Sequence, residues 1–587
     1  MPHPSRQPSF GLLLCMAWLV VTVELVVLYW AGTAETLLDT DDAMRLVEVR
    51  AFLGGQGWFD LTEMRVAPPT GYETHWSRLI DAGLAGLFVL ANLFADGALA
   101  ERLMRTIWPL MWLLPAMLGA AAIAWRIAGR EAALITLVLA VIGLPALQQF
   151  KPGSIDHHNV QIALAVLVVA ATVWADRLRW TAWAAGGLTG LALAIGLEGL
   201  PYLAVCGAAF AVRSIVDRSA AETLRAYGLA LAAATLSAFL VSVGPDHWGR
   251  SACDSIAINL AAPIVAGGVL LGLAARRIAD QETWLRGASI GVIGGAVVFG
   301  FAIVEPRCLA GPFAMMEPAV RPIWLAQVQE MQPLIAFTQA VPVRAAAIMA
   351  FPVAALISAG MLARDPMLRR DFGFLVATAG FVVAFVTTIA AIKAYNYPMW
   401  FGMPLVAGMT LRLCARFKLK TMAARLVACV LVTPMVLSTA AVGLAQAAAS
   451  PAAMNTAADQ SACFRTANYA PLARLPAGLV AAHIDFGPFL LALTPHSVLA
   501  APYHRLSSAL LAAHHAFAAP PERARQVLAG ARATYLVMCG SRAPTALGAA
   551  EKEASLWNRL QAGAVPDWLE PMPEMPGQAF HVYRMKY

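Results

Sequence analysis

Polar and apolar positions along this chain fall into long blocks rather than short amphipathic periods. Predominantly apolar runs occur at Gly11–Trp30, Thr106–Trp125, Glu131–Phe150, His158–Ala175, Thr181–Gly196, Leu200–Val212, Thr223–Val243 and Asn259–Ala275. They continue at Gly287–Val304, Arg344–Ala363, Phe372–Ile392, Pro398–Leu413 and Met422–Ala445. At roughly 13–24 residues each, these predict about thirteen helices that cross a bilayer. The first run is too long for a signal-peptide core and no small-residue cleavage site follows it, so it reads as a retained span. Two short runs meet at Gly196-Leu197-Glu198-Gly199-Leu200-Pro201. They are expected to tilt or stop short.

The polar gaps set the orientation. Basic residues cluster at Arg126/Arg130, Arg177/Arg179, Arg213/Arg218, Arg276/Arg277, Arg364/Arg369/Arg370 and Arg412/Arg416/Lys418/Lys420. If the first span enters with Arg6 inside, every one of these clusters falls on the cytoplasmic side. The apolar run Leu79–Phe94 has to be left out of that count. Including it would put all later basic loops outside, so it is expected to be an interfacial or re-entrant helix. The outward pieces are then 31–105, 151–157, 244–258, 305–343, 393–397 and 446–587. The expected organisation is a membrane domain over 1–445, with a first outer loop at 31–105 and another at 305–343. A small mixed α/β domain over 446–587 follows on the periplasmic side of a bacterial inner membrane.

Composition agrees with this picture. The chain has 587 residues, 59% hydrophobic and only 13% charged, and a mean hydropathy of +0.66. That is more apolar surface than a soluble globular protein needs. The net charge of +7 lies in the short loops, so it reports orientation and not a nucleic-acid partner. No phosphate loop, dinucleotide fingerprint, Cys-x-x-Cys pair or internal repeat occurs. Of eight cysteines, Cys15, Cys206, Cys414 and Cys429 lie in or beside spans, where a lone Cys is usually a small buried hydrophobe. Cys253, Cys308, Cys463 and Cys539 all fall on outer segments. There an oxidising compartment favours Cys253–Cys308 and Cys463–Cys539 pairs.

The candidate chemistry sits in the outer loops. Gly153-Ser154-Ile155-Asp156-His157-His158-Asn159 places a carboxylate and two imidazoles at the mouth of a span, where ionisable groups are costly and usually kept for function. Asp156 and His158 are spaced to reach one ion, although a capping Asp and two solvated histidines would give the same string. Asp39-Thr40-Asp41-Asp42 opens the first outer loop, and Val328-Gln329-Glu330-Met331-Gln332-Pro333 lies in the loop 305–343. Lys393 and Tyr395 stand between two later spans. Asp42, Asp156, His158 and Glu330 thus share one face by parity. Carboxylate oxygens with one imidazole suit Mn or Mg, and Zn less well without a thiolate. A cation beside a basic residue at the bilayer edge suits a lipid-linked phosphate.

Three of these strings together resemble the motifs of the GT-C superfamily of polytopic glycosyltransferases. The chain most resembles the catalytic subunit of oligosaccharyltransferases of bacterial and archaeal type. Thr40-Asp41-Asp42 looks like the first acidic motif, Gly153-Ser154-Ile155-Asp156-His157-His158 like the second, and the Glu330 string like the fifth-loop motif in which Glu is followed by Gln-Pro. The resemblance spans roughly residues 11–445. It implies a sugar donor carried on a polyprenyl phosphate or diphosphate. It also implies a divalent cation on Asp42, Asp156 and His158, and Glu330 holding or activating the acceptor, with Asp42 and Glu330 as the catalytic pair. Lys393 matches, by position only, the basic residue on the donor phosphate. The family's Trp-Trp-Asp-Tyr-Gly motif is represented only by His483-Ile484-Asp485-Phe486-Gly487, which lacks both tryptophans. The acceptor therefore stays open between a protein Asn and a glycan or lipid hydroxyl, with Asp485, Tyr503, His504 and Arg505 as candidate contacts. A transporter of lipid-linked sugars is the competing class. It expects ionisable groups near the midplane and paired broken helices, for which Glu24 and Glu198 are the candidates.

Overall fold

A computed structural model describes residues 8–448, 462–540, 549–573 and 579–587. Arg6, on which the entry of the first span rests, lies outside the described residues. Helices occupy all of the predicted apolar runs. Among the described residues seven are long and apolar enough to cross a membrane, and up to nine if each of two bent pairs is one span. The bends have local causes. Arg130–Val141 and Leu144–Phe150 meet at 74°, where Gly143 is followed by Pro145. A Cβ on Gly143 would lie 2.7 Å from the Leu139 carbonyl oxygen. Met422–Leu431 and Pro434–Ala448 break by 54° at Pro434, whose ring cannot continue the preceding helix. The helices His158–Trp174, Trp180–Ile195 and Leu200–Val216 are apolar but shorter. Asn396–Arg416 is buried along most of its length.

Small residues let these helices approach closely. A Cβ on Gly186 would lie 2.4 Å from the Tyr227 carbonyl oxygen, and one on Gly190 would lie 2.5 Å from Ala234 Cβ. Trp180–Ile195 therefore packs on Ala221–Ser242 through backbone-to-backbone contact, as expected where lipid is as apolar as the side chains. Thr283–Val304 does the opposite. It buries only Arg286 and Ile290 and exposes Val292, Val298, Phe299 and Ile303, which marks it as an outer, lipid-facing element. At one end of the bundle Arg126 pairs with Asp176 at 2.6 Å and Asp371 at 3.0 Å, and Arg412 pairs with Asp365 at 2.5 Å. The basic clusters that the parity argument groups together thus meet one another's acidic neighbours.

The run Leu79–Phe94 forms the helix Arg78–Asn92. It buries Ile80, Asp81, Leu84 and Ala85 and exposes Val89 and Leu90, with Leu93 and Phe94 exposed just beyond its end. Among the described residues it is not one of the helices long and apolar enough to cross a membrane. The helix Thr40–Leu53 lies beneath it, and a buried network joins the two. Arg45 contacts Asp81 at 2.6 Å and Glu48 at 3.0 Å, and its guanidinium stacks 4.6 Å from the Trp76 ring.

Among the described residues beyond 461 the chain forms five strands, β1 (Leu479–Ala481), β2 (Ser497–Val498), β3 (Tyr535–Cys539), β4 (Leu569–Pro571) and β5 (Phe580–Met585). Their order is β2-β1-β3-β5-β4. β1 is parallel to β2 and β3, whereas β5 is antiparallel to β3 and β4. The central strand β3 is buried on both faces, as its unbroken apolar run demands. Both expected cysteine pairs are joined, Cys253–Cys308 and Cys463–Cys539.

Candidate active site

The site is built from turns that hold one another. Asp39 caps the helix Thr40–Leu53 by accepting from the Asp41 and Asp42 amides, each at 2.9 Å. Acids in the first turn suit the positive end of the helix. Asp42 Oδ1 in turn accepts from the Ile155 and Asp156 amides at 2.6 and 3.1 Å. That clamps the turn after Gly153, whose φ of +102° favours glycine. Asp156 Oδ1 accepts from the His158 amide at 2.9 Å, and its Oδ2 lies 3.7 Å from His158 Nε2. His158 Nδ1 is 3.1 Å from Glu198 Oε2. Lys393 Nζ bridges Glu198 Oε1 at 3.1 Å and Glu330 Oε1 at 3.2 Å. One connected chain of polar contacts thus runs from the first outer loop through Asp156 and His158 to Glu330.

The charges in this chain are unbalanced. Burial, and then Asp39 and Asp156 beside it, raise the Asp42 carboxyl well above the usual carboxylate range. Burial and Asp39 push Asp41 up to about 7. Glu198 behaves in the opposite way. Burial opposes its charge, but His158 and Lys393 hold it well below the usual range. Burial likewise works against the charge on Lys393, which Glu198, Glu330 and Asp41 keep well above the ordinary lysine value. The acids around Asp42 therefore lack the counter-charge that Glu198 and Glu330 have. Asp42 Oδ2 is buried without a hydrogen-bond partner. Asp42, Asp156 and His158 are brought to one turn and offer oxygen and nitrogen donors of the kind a divalent cation takes, but among the described residues they are not a set whose ligand atoms come within 4.8 Å of one another, whereas His157, His158 and Glu198 are.

These groups edge a cavity of about 910 Å³ whose wall includes Asp39, Asp41, His158, Glu198, Glu330 and Lys393. Asp42 and Asp156, each 1% exposed, lie directly behind that wall. Of the four acceptor candidates, Asp485, Tyr503 and His504 line the cavity. Arg505 does not; it lines an adjoining space of about 380 Å³. Tyr503 donates its hydroxyl to the Thr40 carbonyl at 3.1 Å and stacks on Tyr72 with ring centres 4.9 Å apart. His504 and Arg505 both hold Asp254, at 2.6 and 2.7 Å. Three of these residues therefore fasten the C-terminal part to the outer loops. Sequence reasoning missed Asp254, and it weighed Glu198 only as a buried acid for transport. The position of Glu198 between two short spans was the available signal. His75, Asp254 and His504 also bring ligand-type atoms within 4.8 Å of one another, but both Asp254 oxygens already accept from Arg505.

No family model and no curated protein sequence matches the chain. Its architecture does have solved counterparts. The oligosaccharyltransferase of Archaeoglobus fulgidus, AglB, superimposes in complex with an inhibitory peptide and a dolichol-phosphate. The TM-score is 0.65 at 14% identity, over 90% of this chain and 69% of that one. The apo form of the same archaeal enzyme gives 0.67 at 14% identity over the same shares. A form in complex with Zn and sulfate gives 0.60 at 15% identity, over 90% of this chain and 68% of that one. The chain has the GT-C fold.

Proposed function

We propose that this chain is a membrane glycosyltransferase. It transfers a sugar or oligosaccharide from a polyprenyl-phosphate or -diphosphate donor to an acceptor on the periplasmic face of a bacterial inner membrane, with inversion at the anomeric carbon. In this reading all thirteen apolar elements are spans, residues 1–445 are the catalytic domain and 446–587 are the periplasmic domain. The observation that carries it is the convergence of His158, Glu198, Glu330 and Lys393 on one cavity, with Asp42 and Asp156 packed behind its wall. The archaeal counterpart is solved with dolichol-phosphate and a peptide, and also with Zn and sulfate, which supports a lipid-phosphate donor and a cation here.

Asp42, Asp156 and His158 would hold Mn or Mg, which when bound supplies positive charge beside the departing phosphate. Lys393, carried between Glu198 and Glu330, brings a second positive charge to the donor side. Glu330 is half-exposed, with 55% of its side chain accessible. It orients the acceptor and takes a proton from it through a carboxylate oxygen. Asp485, at the far wall, faces the acceptor, whose class is a protein Asn or a glycan or lipid hydroxyl. The transporter reading is less well supported, because these ionisable groups lie in loops at one end of the bundle rather than at its middle.

The test is direct. Purified protein in nanodiscs is given polyprenyl-phosphate- and diphosphate-linked sugars with a peptide, glycan or lipid acceptor. Sugar transfer that stops in excess chelator is expected. Movement of donor between leaflets without transfer would replace this reading with transport. Mass spectrometry of envelope glycans and periplasmic proteins from a deletion strain then identifies the acceptor.

A further inference from the structure

Glu198 belongs to no motif, yet the fold goes to some length to bring it to the site. It lies in the loop between Trp180–Ile195 and Leu200–Val216. At Gly196, a Cβ would sit 2.0 Å from Gln161 Nε2 and 3.8 Å from His157 Cδ2. The loop thus lies against the first turn of His158–Trp174, and a side chain at Gly196 would have to displace the Gln161 amide. The loop then presents one carboxylate to two partners. Glu198 Oε2 is 3.1 Å from His158 Nδ1, and Oε1 is 3.1 Å from Lys393 Nζ. Lys393 continues to Glu330 Oε1 at 3.2 Å.

The two nitrogens of His158 are thereby given different work. With an ionised carboxylate against Nδ1, that nitrogen carries the proton. Nε2 faces Asp156 Oδ2 at 3.7 Å, on the side where a cation would sit. A carboxylate behind an imidazole, with anionic oxygens in front of it, is how proteins fix the ring and tautomer of a metal-bound histidine. His157, His158 and Glu198 also place ligand-type atoms within 4.8 Å of one another. Both Glu198 oxygens are already engaged, however, so the carboxylate stands behind His158 rather than beside a cation.

We infer that Glu198 is the positioning residue of this site, holding His158 with Nε2 toward the cation while tethering Lys393, and through it Glu330, to the same point. The inference rests on the cation reading proposed above. It gives the donor-side charge and the acceptor-side carboxylate a common anchor that neither the Asp156–His158 motif nor the Glu330 motif contains.

The experiment uses the full-length protein in nanodiscs, with Mn²⁺ as the probe. Binding is read by electron paramagnetic resonance, and imidazole ligation by the ¹⁴N modulation of the electron spin echo. Wild type is expected to bind Mn²⁺ with a ¹⁴N coupling that His158→Ala abolishes. Glu198→Ala should lower Mn²⁺ affinity about 10–100-fold, the usual effect of losing such an outer partner, and should shift or erase the coupling. Glu198→Gln should restore the coupling, because its amide oxygen still accepts from Nδ1–H. Unchanged affinity and coupling in Glu198→Ala would overturn the assignment, as would equal losses in the Ala and Gln variants, which would make Glu198 a direct ligand. Absence of Mn²⁺ binding in wild type would instead remove the cation reading on which the inference stands. Thermal melting within a few degrees of wild type separates these effects from misfolding.

Discussion

At the scale of single residues, the strongest handle is the contrast between Asp42 and Glu330. Asp42 is 1% exposed, clamps the Ile155 and Asp156 amides and keeps one oxygen without a partner. Glu330 is half-exposed and meets only Lys393 among the charged groups. Changing Asp42 therefore disturbs a turn as well as a site, whereas changing Glu330 leaves the turns intact and alters only its ion pair with Lys393 and the proposed chemistry. Glu330→Gln is expected to lower turnover by about 10²-fold or more and leave donor binding intact, measured as kcat against donor Kd. A wild-type rate would make Glu330 a solvated loop residue. Asp156→Ala and His158→Ala should raise the cation concentration needed for half-maximal turnover, and full activity of wild type in excess chelator would remove the cation altogether. Asp42, Asp156, His158 and Glu330 could be picked out because each sits in a short string that resembles a known motif, and the fold brings those strings together. Lys393 was legible only by position, and its ion pairs with Glu198 and Glu330 were not. Those contacts join segments some 60 to 200 positions apart, and no local pattern encodes them.

At the scale of elements, hydropathy found the helices and missed their ends. The run Thr106–Trp125 is part of a helix that extends from Gly97 to Ala128, because polar residues such as Arg102 and Arg105 extend it beyond the apolar block. There they bond the Trp30 and Thr36 carbonyls at 2.5 and 3.0 Å. The breaks at Gly143 and Pro434 were present in the sequence as a glycine and a proline inside apolar runs, and a hydropathy window averages over both. The decisive element is Arg78–Asn92. As an interfacial helix it keeps every acid of the site on one face, and as a span it would send Asp156 and Glu330 to the cytoplasm. Cysteine accessibility decides, in a background where Cys15, Cys206, Cys414 and Cys429 are replaced by Ala. Ala98→Cys, exposed just after that helix, should react with an impermeant reagent from outside. Met367→Cys, 82% exposed in a basic loop, should react only from the cytoplasm. The reverse pattern at both positions would overturn the orientation given to the chain.

At the scale of the whole molecule, the C-terminal part supplies one wall of the cavity, through His483, Asp485, Tyr503 and His504. Its sheet touches the first outer loop where Val66 bridges Val498, and Arg50 and Arg65 donate to the Ala492 and Leu491 carbonyls at 2.6 and 3.0 Å. The most concentrated contact is Asp254, which accepts from His504 Nε2 at 2.6 Å and from two nitrogens of Arg505 at 2.7 and 2.8 Å. Cys253, its neighbour, is tied to Cys308, so this clasp links the C-terminal part to the loop that carries Glu330. Burial alone would raise the Asp254 carboxyl, but the hydrogen bonds from His504 and Arg505 hold it well below the usual range. A carboxyl depressed in the folded state stabilises that state above its unfolded value of about 3.9 and loses the contribution as pH falls through the folded value. The clasp should therefore be fully closed from neutral pH down to about pH 4. Asp254→Asn removes the charge while keeping the shape, which weakens docking by on the order of 2 kcal/mol, the scale of charge-assisted hydrogen bonds. The expected result is faster hydrogen exchange and proteolysis at 244–258 and 502–507, by a factor that is constant between pH 8 and pH 5. That factor should shrink only in stronger acid, where wild type opens as well. Equal protection in the two proteins, or a difference already gone at pH 5, would show that the C-terminal part is held by its other contacts and that the cavity does not depend on Asp254.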